Sequence, residues 1–276
     1  EGPHINADVI LKFNPKIERK FSIKYLIYWI KSKLYIAAYT KLFIQINKKL
    51  DISAFQGPHY VKWAKTKRLN NAIYVSTPVL DPNRIKNHIE ENSESVFNIL
   101  MIGHLHSTSN QSGLPLFFQE LFPELLILFG ENNFKINIVG NNELLPKKYL
   151  PFKKEKHLNW KGPVFPAEDE FINSDLLLVP IPAKTGSRVR IINGFSLGCC
   201  IVAHSANKLG IPELINNKNI LLGDNGKELA YQIHKASKDQ SLRKTLGLEG
   251  RRIYEMNYRP EVAFEKYYYL INRLIS

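Results

Sequence analysis

The sequence predicts an α/β chain built on a doubly wound parallel sheet, preceded by a smaller α/β region. Three observations carry this. From Phe97 onward, short apolar runs alternate with helix-length patterned segments, the mark of strands joined by crossover helices. Most of those runs close on Gly or Pro, which punctuate strand ends. A polar stretch from Glu90 to Ser95 separates this half from a differently textured N-terminal one, and we place the domain boundary there. At 276 residues and 44% hydrophobic composition, the chain has apolar surface enough for one large or two modest cores.

The elements follow in order. Residues 21–50 mix Lys with aromatic and aliphatic residues over a helix-length stretch. Apolar-polar segments follow at Asp51 to Phe55 and Ala72 to Ser76, with turn signals at Gly57-Pro58, Thr77-Pro78 and Asp81-Pro82. Phe97 to Ile102 reads as a buried strand ending at Gly103, and Leu114 to Phe129 as a helix with Pro115 in its first turn. Strands are expected at Phe134 to Val139, His157 to Trp160, Leu176 to Pro180, Cys199 to Ala203 and Asn219 to Leu222. Helices are expected at Pro166 to Asn173, Arg188 to Leu197, Lys227 to Ala236, Gln240 to Tyr254 and Val262 to Ile275.

Composition excludes several classes. Cys199 and Cys200 are the only cysteines and adjoin one another, so they frame neither a disulfide scaffold nor a metal site, and a reducing compartment is expected. Lys24, Lys31, Lys33 and Lys41 interrupt the most apolar N-terminal stretch, so no run approaches the roughly 20 residues that span a bilayer. No signal peptide is recognisable. The chain opens on Glu1 and its methionines are Met101 and Met256, which reads as a chain cut at its N-terminus.

In a doubly wound sheet, ligands sit beyond the carboxyl ends of the strands, where loops meet helix N-termini. The sharpest such place is Val179 to Gly198: a buried strand, a small-residue loop and a helix start. Gly186 and Ser187 let backbone approach a ligand, unpaired helix N–H groups favour an anion such as a diphosphate, and Lys184, Arg188 and Arg190 add charge. An ordinary Gly-Ser helix start with solvated basic residues fits the same local pattern. The second place is Gly103-His104-Leu105-His106-Ser107-Thr108-Ser109-Asn110, whose glycine and hydroxyls suit phosphate or sugar. His104 and His106 lack a third ligand nearby, so hydrogen-bonding roles are expected and no metal.

Together these residues resemble the nucleotide-sugar-binding domain of GT-B-fold retaining glycosyltransferases, of the group 1 or family 4 type, from Phe97 to about Tyr258. The resemblance is carried by Ile99 to Gly103, Asn159 to Val164, Gly186 to Ile192 running on to Gly198, and Leu209 to Ile215 followed by Asn219 to Leu222. Leu246-Gly247, Gly250 to Arg252 and Tyr258 follow the family's closing helices. It implies a GT-B-like chain: residues 1–95 a partial acceptor-side domain and linker, 96–258 the Rossmann-like nucleotide-sugar domain, and 259–276 a C-terminal helix crossing back. It also implies transfer, with retention, from a nucleoside-diphosphate sugar to a glycan or lipid-linked acceptor in surface polysaccharide synthesis. Gly162, Pro163 and Val164 would line the base, and Gly186, Ser187, Arg188 and Gly103 the diphosphate. His104, Ser107, Thr108 and Lys184 are further candidates for sugar or phosphate contact. No metal or other cofactor is implied, since the nucleotide-sugar is itself a substrate and the leaving phosphate serves as base.

The chain departs from the resembled pattern at two places. Relatives carry a pair of glutamates eight positions apart where this chain has Thr185 and Asn193. Asn193 would meet the ribose without charge, and losing a charge-assisted bond costs roughly 1.5–3 kcal/mol. This motivates the alternative of an inactive GT-B binding or scaffold protein; a related epimerase or phosphorylase is a third reading. In the N-terminal half, residues 38–80 resemble the last strands and helices of the acceptor domain, while its opening strand, glycine turn and catalytic-side histidine have no counterpart.

The net charge of +13 comes from 38 basic against 25 acidic residues dispersed along the chain, and no nucleic-acid motif accompanies it, so no nucleic acid is expected as a partner. The stretch Lys20 to Lys49 allows two readings: a buried helix with solvated lysines, or a peripheral contact with anionic membrane from the cytoplasmic side. Glu213, in a loop with Gly210 and Pro212, either faces the sugar or caps.

Overall fold

In a computed structural model the described residues are 23–275 except 83, 87–95, 106, 131, 132, 144 and 185. The proposed boundary at 90–95, His106, Thr185 and Lys20 therefore lie outside the described residues.

The N-terminal unit comprises helix α1 (Ile23–Asn47), strand β1 (Ser53–Phe55), helix α2 (Pro58–Thr66) and strand β2 (Ala72–Tyr74). The two strands pair in parallel, Ser53 opposite Ala72. Gly57-Pro58 reads in sequence as a turn, yet Pro58 starts α2: its fixed φ suits the first helical position, where an N–H is superfluous. A small core of Phe55, Tyr60, Ala64, Leu69 and Ala72 forms under the C-terminal end of α1, where Phe43 and Ile44 pack on it. The rest of α1 is not buried: Ile23, Leu34 and Tyr35 are 78%, 65% and 70% exposed, which removes the buried-helix reading for those positions.

The second unit is the doubly wound sheet. Its elements are β3 (Phe97–Ile102), α3 (Thr108–Pro115) running through a π segment (Leu116–Leu121) into α4 (Phe122–Phe129), β4 (Phe134–Val139), a 3₁₀ helix (Lys147–Lys154), β5 (Leu158–Gly162), α5 (Glu168–Ile172) and β6 (Leu176–Val179). They continue with α6 (Val189–Ser196), β7 (Ile201–His204), a 3₁₀ helix (Ser205–Leu209), β8 (Leu221–Gly223), α7 (Gly226–Lys238), α8 (Gln240–Asn257) and α9 (Pro260–Ile275). Six strands pair in parallel in the order β5-β4-β3-β6-β7-β8.

Both sheet faces are covered, so side chains alternate between two cores rather than between core and water. Ile99, Met101, Leu176, Leu178 and Val202 join one core with Phe117, Leu121, Leu125 and the α7 residues Leu229 and Ile233. Leu100, Leu177, Val179, Ile201 and Ala203 join the other with Ile191 and Phe195 of α6 and Tyr254 of α8. Cys199 is buried in this core and Cys200 in the first, and burial pushes both thiols up to about 12, so neither is a nucleophile near neutral pH.

One element differs materially from expectation. The helix expected over Leu114 to Phe129 begins at Thr108, and Pro115 sits inside it. Pro115 and Pro123 each lack the N–H an α-helix would use, and the π segment between them accommodates the break. The stretch 109–129 is also long and apolar enough to cross a bilayer by composition, contrary to the sequence expectation. Leu116, Phe117, Phe118, Leu121, Phe122 and Leu125 spend that apolar surface on the sheet core.

Residues 79–82 and 84–86 strap the two units together. Val79 N–H donates to the Tyr258 carbonyl at 3.0 Å, the Tyr254 hydroxyl donates to the Val79 carbonyl at 2.9 Å, and Lys86 N–H donates to the Leu197 carbonyl at 2.9 Å. Arg251 grips Asp81 through both carboxylate oxygens, at 2.8 and 3.2 Å. Helix α9 returns toward the first unit, where the Tyr267 hydroxyl donates to the Ser76 carbonyl at 3.3 Å.

Candidate functional site

The strand order reverses direction between β3 and β6: β4 and β5 extend to one side, β7 and β8 to the other. A crevice opens at such a switch point, beyond the carboxyl ends of the strands. The loop after β3 starts at Gly103 and the loop after β6 runs from Pro180 to Arg188, so the two stretches singled out in sequence meet there.

Gly103 adopts a φ of 141° and its N–H donates to the Val139 carbonyl at 2.9 Å. An added Cβ would lie 2.5 Å from Nη2 and 2.6 Å from Nη1 of Arg190, so the guanidinium is in contact with the bare Cα. Arg190 thus reaches from the start of α6 across the crevice to the end of β3. Removal from water, reinforced by nearby Arg188, lowers its pKa to about 10, still cationic at neutral pH. Asn110, whose Nδ2 donates to the His104 carbonyl at 2.6 Å, lines the same small cavity as Arg190, and its Oδ1 is buried with no hydrogen-bond partner among the described residues.

Arg188, two residues earlier, behaves differently. It is 8% exposed; its Nε donates to Asn207 Oδ1 at 3.1 Å and its Nη2 to the Ala183 carbonyl at 2.7 Å. Asn207 in turn donates to the His204 carbonyl at 2.6 Å. The guanidinium therefore braces the loop from beneath, and α6 begins immediately after it. Arg188 sits at the non-helical cap position, with ψ 82°, and Arg190 in the first turn, so the two side chains have different partners: one turns under the loop and the other reaches Gly103.

Gly186 and Ser187 face the first unit. They line a cleft of about 440 Å³ with Phe43, Asn47, Gln56, Tyr60 and Tyr267. The Gly186 N–H donates to the Tyr60 hydroxyl at 2.6 Å, and His59 Nδ1 lies 2.5 Å from the Leu209 carbonyl, so the N-terminal turn of α2 docks on the loop. Nothing in the sequence marked α2 or Tyr60; the only available signal was Pro58 as a helix start.

The remaining candidates separate. Ser107 caps α3: its Oγ accepts from Asn110 N–H at 3.3 Å, and the helix starts six residues earlier than expected. Thr108 is the first residue of α3, its side chain lying outside the described ones. His104 and Lys184 are exposed at the mouths of their loops. Asn193 is half-buried in α6. Gly162 ends β5 with φ 70° and its carbonyl accepts from Gly140 N–H at 2.7 Å; Pro163 is exposed and Val164 packs on the second core. Glu213 is engaged between the units: the Tyr258 hydroxyl donates to its Oε2 at 2.5 Å, and burial pushes the nearby Tyr74 hydroxyl up to about 12. Among the described residues, no three His, Cys, Asp or Glu side chains gather to hold a metal ion.

This arrangement has known counterparts. Anabaena HepE, in a complex with UDP, superimposes with a TM-score of 0.67 at 12% identity over 92% of this chain and 69% of its own. TarM of S. aureus gives 0.67 at 18% over 88% of this chain and 46% of its own. A Rickettsia africae glycosyltransferase gives 0.66 at 14% over 100% and 81%. The chain has a GT-B fold. It spans about two thirds of HepE and under half of TarM. No protein-family model matches it, and no curated protein matches it in sequence.

Proposed function

We propose that the protein is a glycosyltransferase that moves a sugar from a nucleoside-diphosphate sugar to a glycan or lipid-linked acceptor. The observation that carries the reading is the meeting of the Gly103 and Gly186-Ser187 loops at the switch-point crevice, beside a cleft walled on its other side by a second α/β unit. Sugar transfer expels a nucleoside diphosphate, and fixed donors aimed at its growing charge lower the barrier. In this reading the backbone at Gly186, Ser187 and Gly103 approaches the diphosphate, while Arg188 carries its charge at the base of that loop. Gly162, Pro163 and Val164 meet the base and Asn193 the ribose. His104, Lys184 and the start of α3 at Ser107 and Thr108 flank the sugar. Transfer proceeds with retention and without a metal, in surface polysaccharide synthesis.

The enzyme works in the cytoplasm, at the inner face of the membrane. The apolar and aromatic residues that α1 exposes among Lys31, Lys33 and Lys41 suit an anionic lipid surface. Calorimetry of the protein against UDP-, GDP- and ADP-sugars tests the donor reading, and binding of none of them overturns it. A second reading, a GT-B binding protein without turnover, is favoured by Asn193 and by Tyr60 occupying the Gly186 amide. It predicts nucleotide binding with no sugar transfer or donor hydrolysis.

A further inference from the structure

Arg190 is the most unusual charged group in the structure. Its guanidinium is largely withdrawn from water, lies against the Cα of Gly103, and makes no hydrogen bond or ion pair among the described residues. The nearest charge acting on it is that of Arg188, of the same sign. A half-buried cation with no counter-ion among the described residues carries a desolvation cost, and removing a charge from such a place generally stabilises a fold. The cost is not recovered by packing alone, because a methionine would fill the space beside Leu105, Leu114, Phe117 and Ile181 without it. The cavity beneath the guanidinium has room for about one water molecule and cannot take a ligand, so an anion would sit at its mouth, where β3 and α6 converge.

We infer that Arg190 is the cation that holds the donor's diphosphate, reaching it across the switch-point crevice over Gly103, while Arg188 only fixes the loop. The inference rests on the donor reading above and narrows it to one side chain. Three features of the site fit. Only glycine at position 103 leaves the guanidinium its place, since any Cβ would occupy it. A planar fork of donors matches adjacent phosphate oxygens, and removal from water strengthens that attraction. Asn110 Oδ1, buried in the wall of the same cavity without a partner among the described residues, marks the region as one whose polar groups are incompletely matched there.

The test compares the wild type with Arg190→Met and Arg190→Lys by calorimetry against inorganic pyrophosphate, UDP and uridine, with thermal melting as a control. Loss of a charge-assisted contact worth 2–3 kcal/mol corresponds to a drop of about 30- to 150-fold. The expected result for Arg190→Met is that loss for pyrophosphate and UDP, unchanged uridine binding, and a melting temperature equal to or above that of the wild type. Should Arg190→Met not fold, Arg190→Lys decides: about tenfold weaker pyrophosphate binding with unchanged melting supports the inference, and unchanged affinity overturns it. Equal loss of uridine and UDP, or no loss of either, overturns it while leaving the donor reading intact. Arg190-dependent pyrophosphate binding, with no nucleotide or nucleotide-sugar bound by the wild type, upholds the anion site and removes the donor reading.

Discussion

The Gly186 amide donates to the hydroxyl of Tyr60, a residue 126 positions earlier in the chain and in the other unit, at 2.6 Å. The loop that should meet a diphosphate is therefore already satisfied by the opposite lobe. A ligand oxygen that takes this amide must displace the tyrosine, and the bond links closure of the cleft to occupancy of the loop.

Tyr60→Phe removes the competitor and keeps the ring that fills the small core. If Gly186 serves the donor, the variant binds UDP up to about fivefold more tightly, the equivalent of one hydrogen bond of roughly 1 kcal/mol no longer broken. Calorimetry on the two proteins measures this. Weaker binding by the variant would mean that Tyr60 itself touches the ligand or holds the loop in its competent shape.

Asn193→Glu supplies the carboxylate for which the ribose has no charged partner. Nucleotide affinity should rise by about one to two decades, from the 1.5–3 kcal/mol of a charge-assisted bond. An unchanged affinity would place position 193 away from the ribose.

Gly210→Ala tests how tightly the loop is held. Gly210 has an ordinary negative φ, but a Cβ there would run into the Gly186 carbonyl, a backbone atom that cannot swing aside. Overpacking of this kind costs roughly 1–3 kcal/mol. The variant should melt lower and lose nucleotide affinity together; a melting curve matching the wild type would show that the loop yields freely.

His204 carries a pH dependence. Its Nδ1 accepts from the Ala206 N–H at 3.1 Å, so the ring must stay neutral at that nitrogen. Burial holds its pKa below the ordinary 6.5, against the opposing pull of Asp224 and Glu228 and with help from Lys184. The unfolded chain then binds the proton more readily than the fold does. This contribution is complete above the unfolded value of 6.5 and is lost as pH falls below it through the lower folded value. His204→Asn offers a non-titrating acceptor at the same place. Between pH 7.5 and 5.5 the wild type should lose stability relative to the variant by about 1 kcal/mol at most. Parallel denaturation profiles across that range would rule the cap out as the cause.

The sheet was legible because fully buried strands declare themselves: Ile99 to Met101 and Leu176 to Val179 have no other use for such runs. Their alternation then assigns side chains to two cores without further information. The switch point followed, and with it Gly103 and Gly186. What stayed hidden depends on directions that periodicity does not carry. Sequence pointed to Arg188 for the diphosphate and to Arg190 only as added charge; the backbone at the start of α6 decides that the first braces the loop and the second crosses the crevice. The capping role of Ser107 was hidden because Pro115 suggested a helix start near Leu114, whereas a π turn lets the helix begin at Thr108. Tyr60 was missed because α2 is nine residues long and buries only Tyr60 and Ala64, too little pattern to distinguish from a turn.

The strap, residues 79–82 and 84–86, has a mechanical consequence. Four ties, from Val79, Tyr254, Asp81 with Arg251, and Lys86, fasten it to the second unit. Any hinge between the lobes that keeps these ties must pivot ahead of Val79, about Thr77 and Pro78. The moving part would carry Tyr60 away from Gly186, and it would slide Ser76 past Tyr267 as it swung.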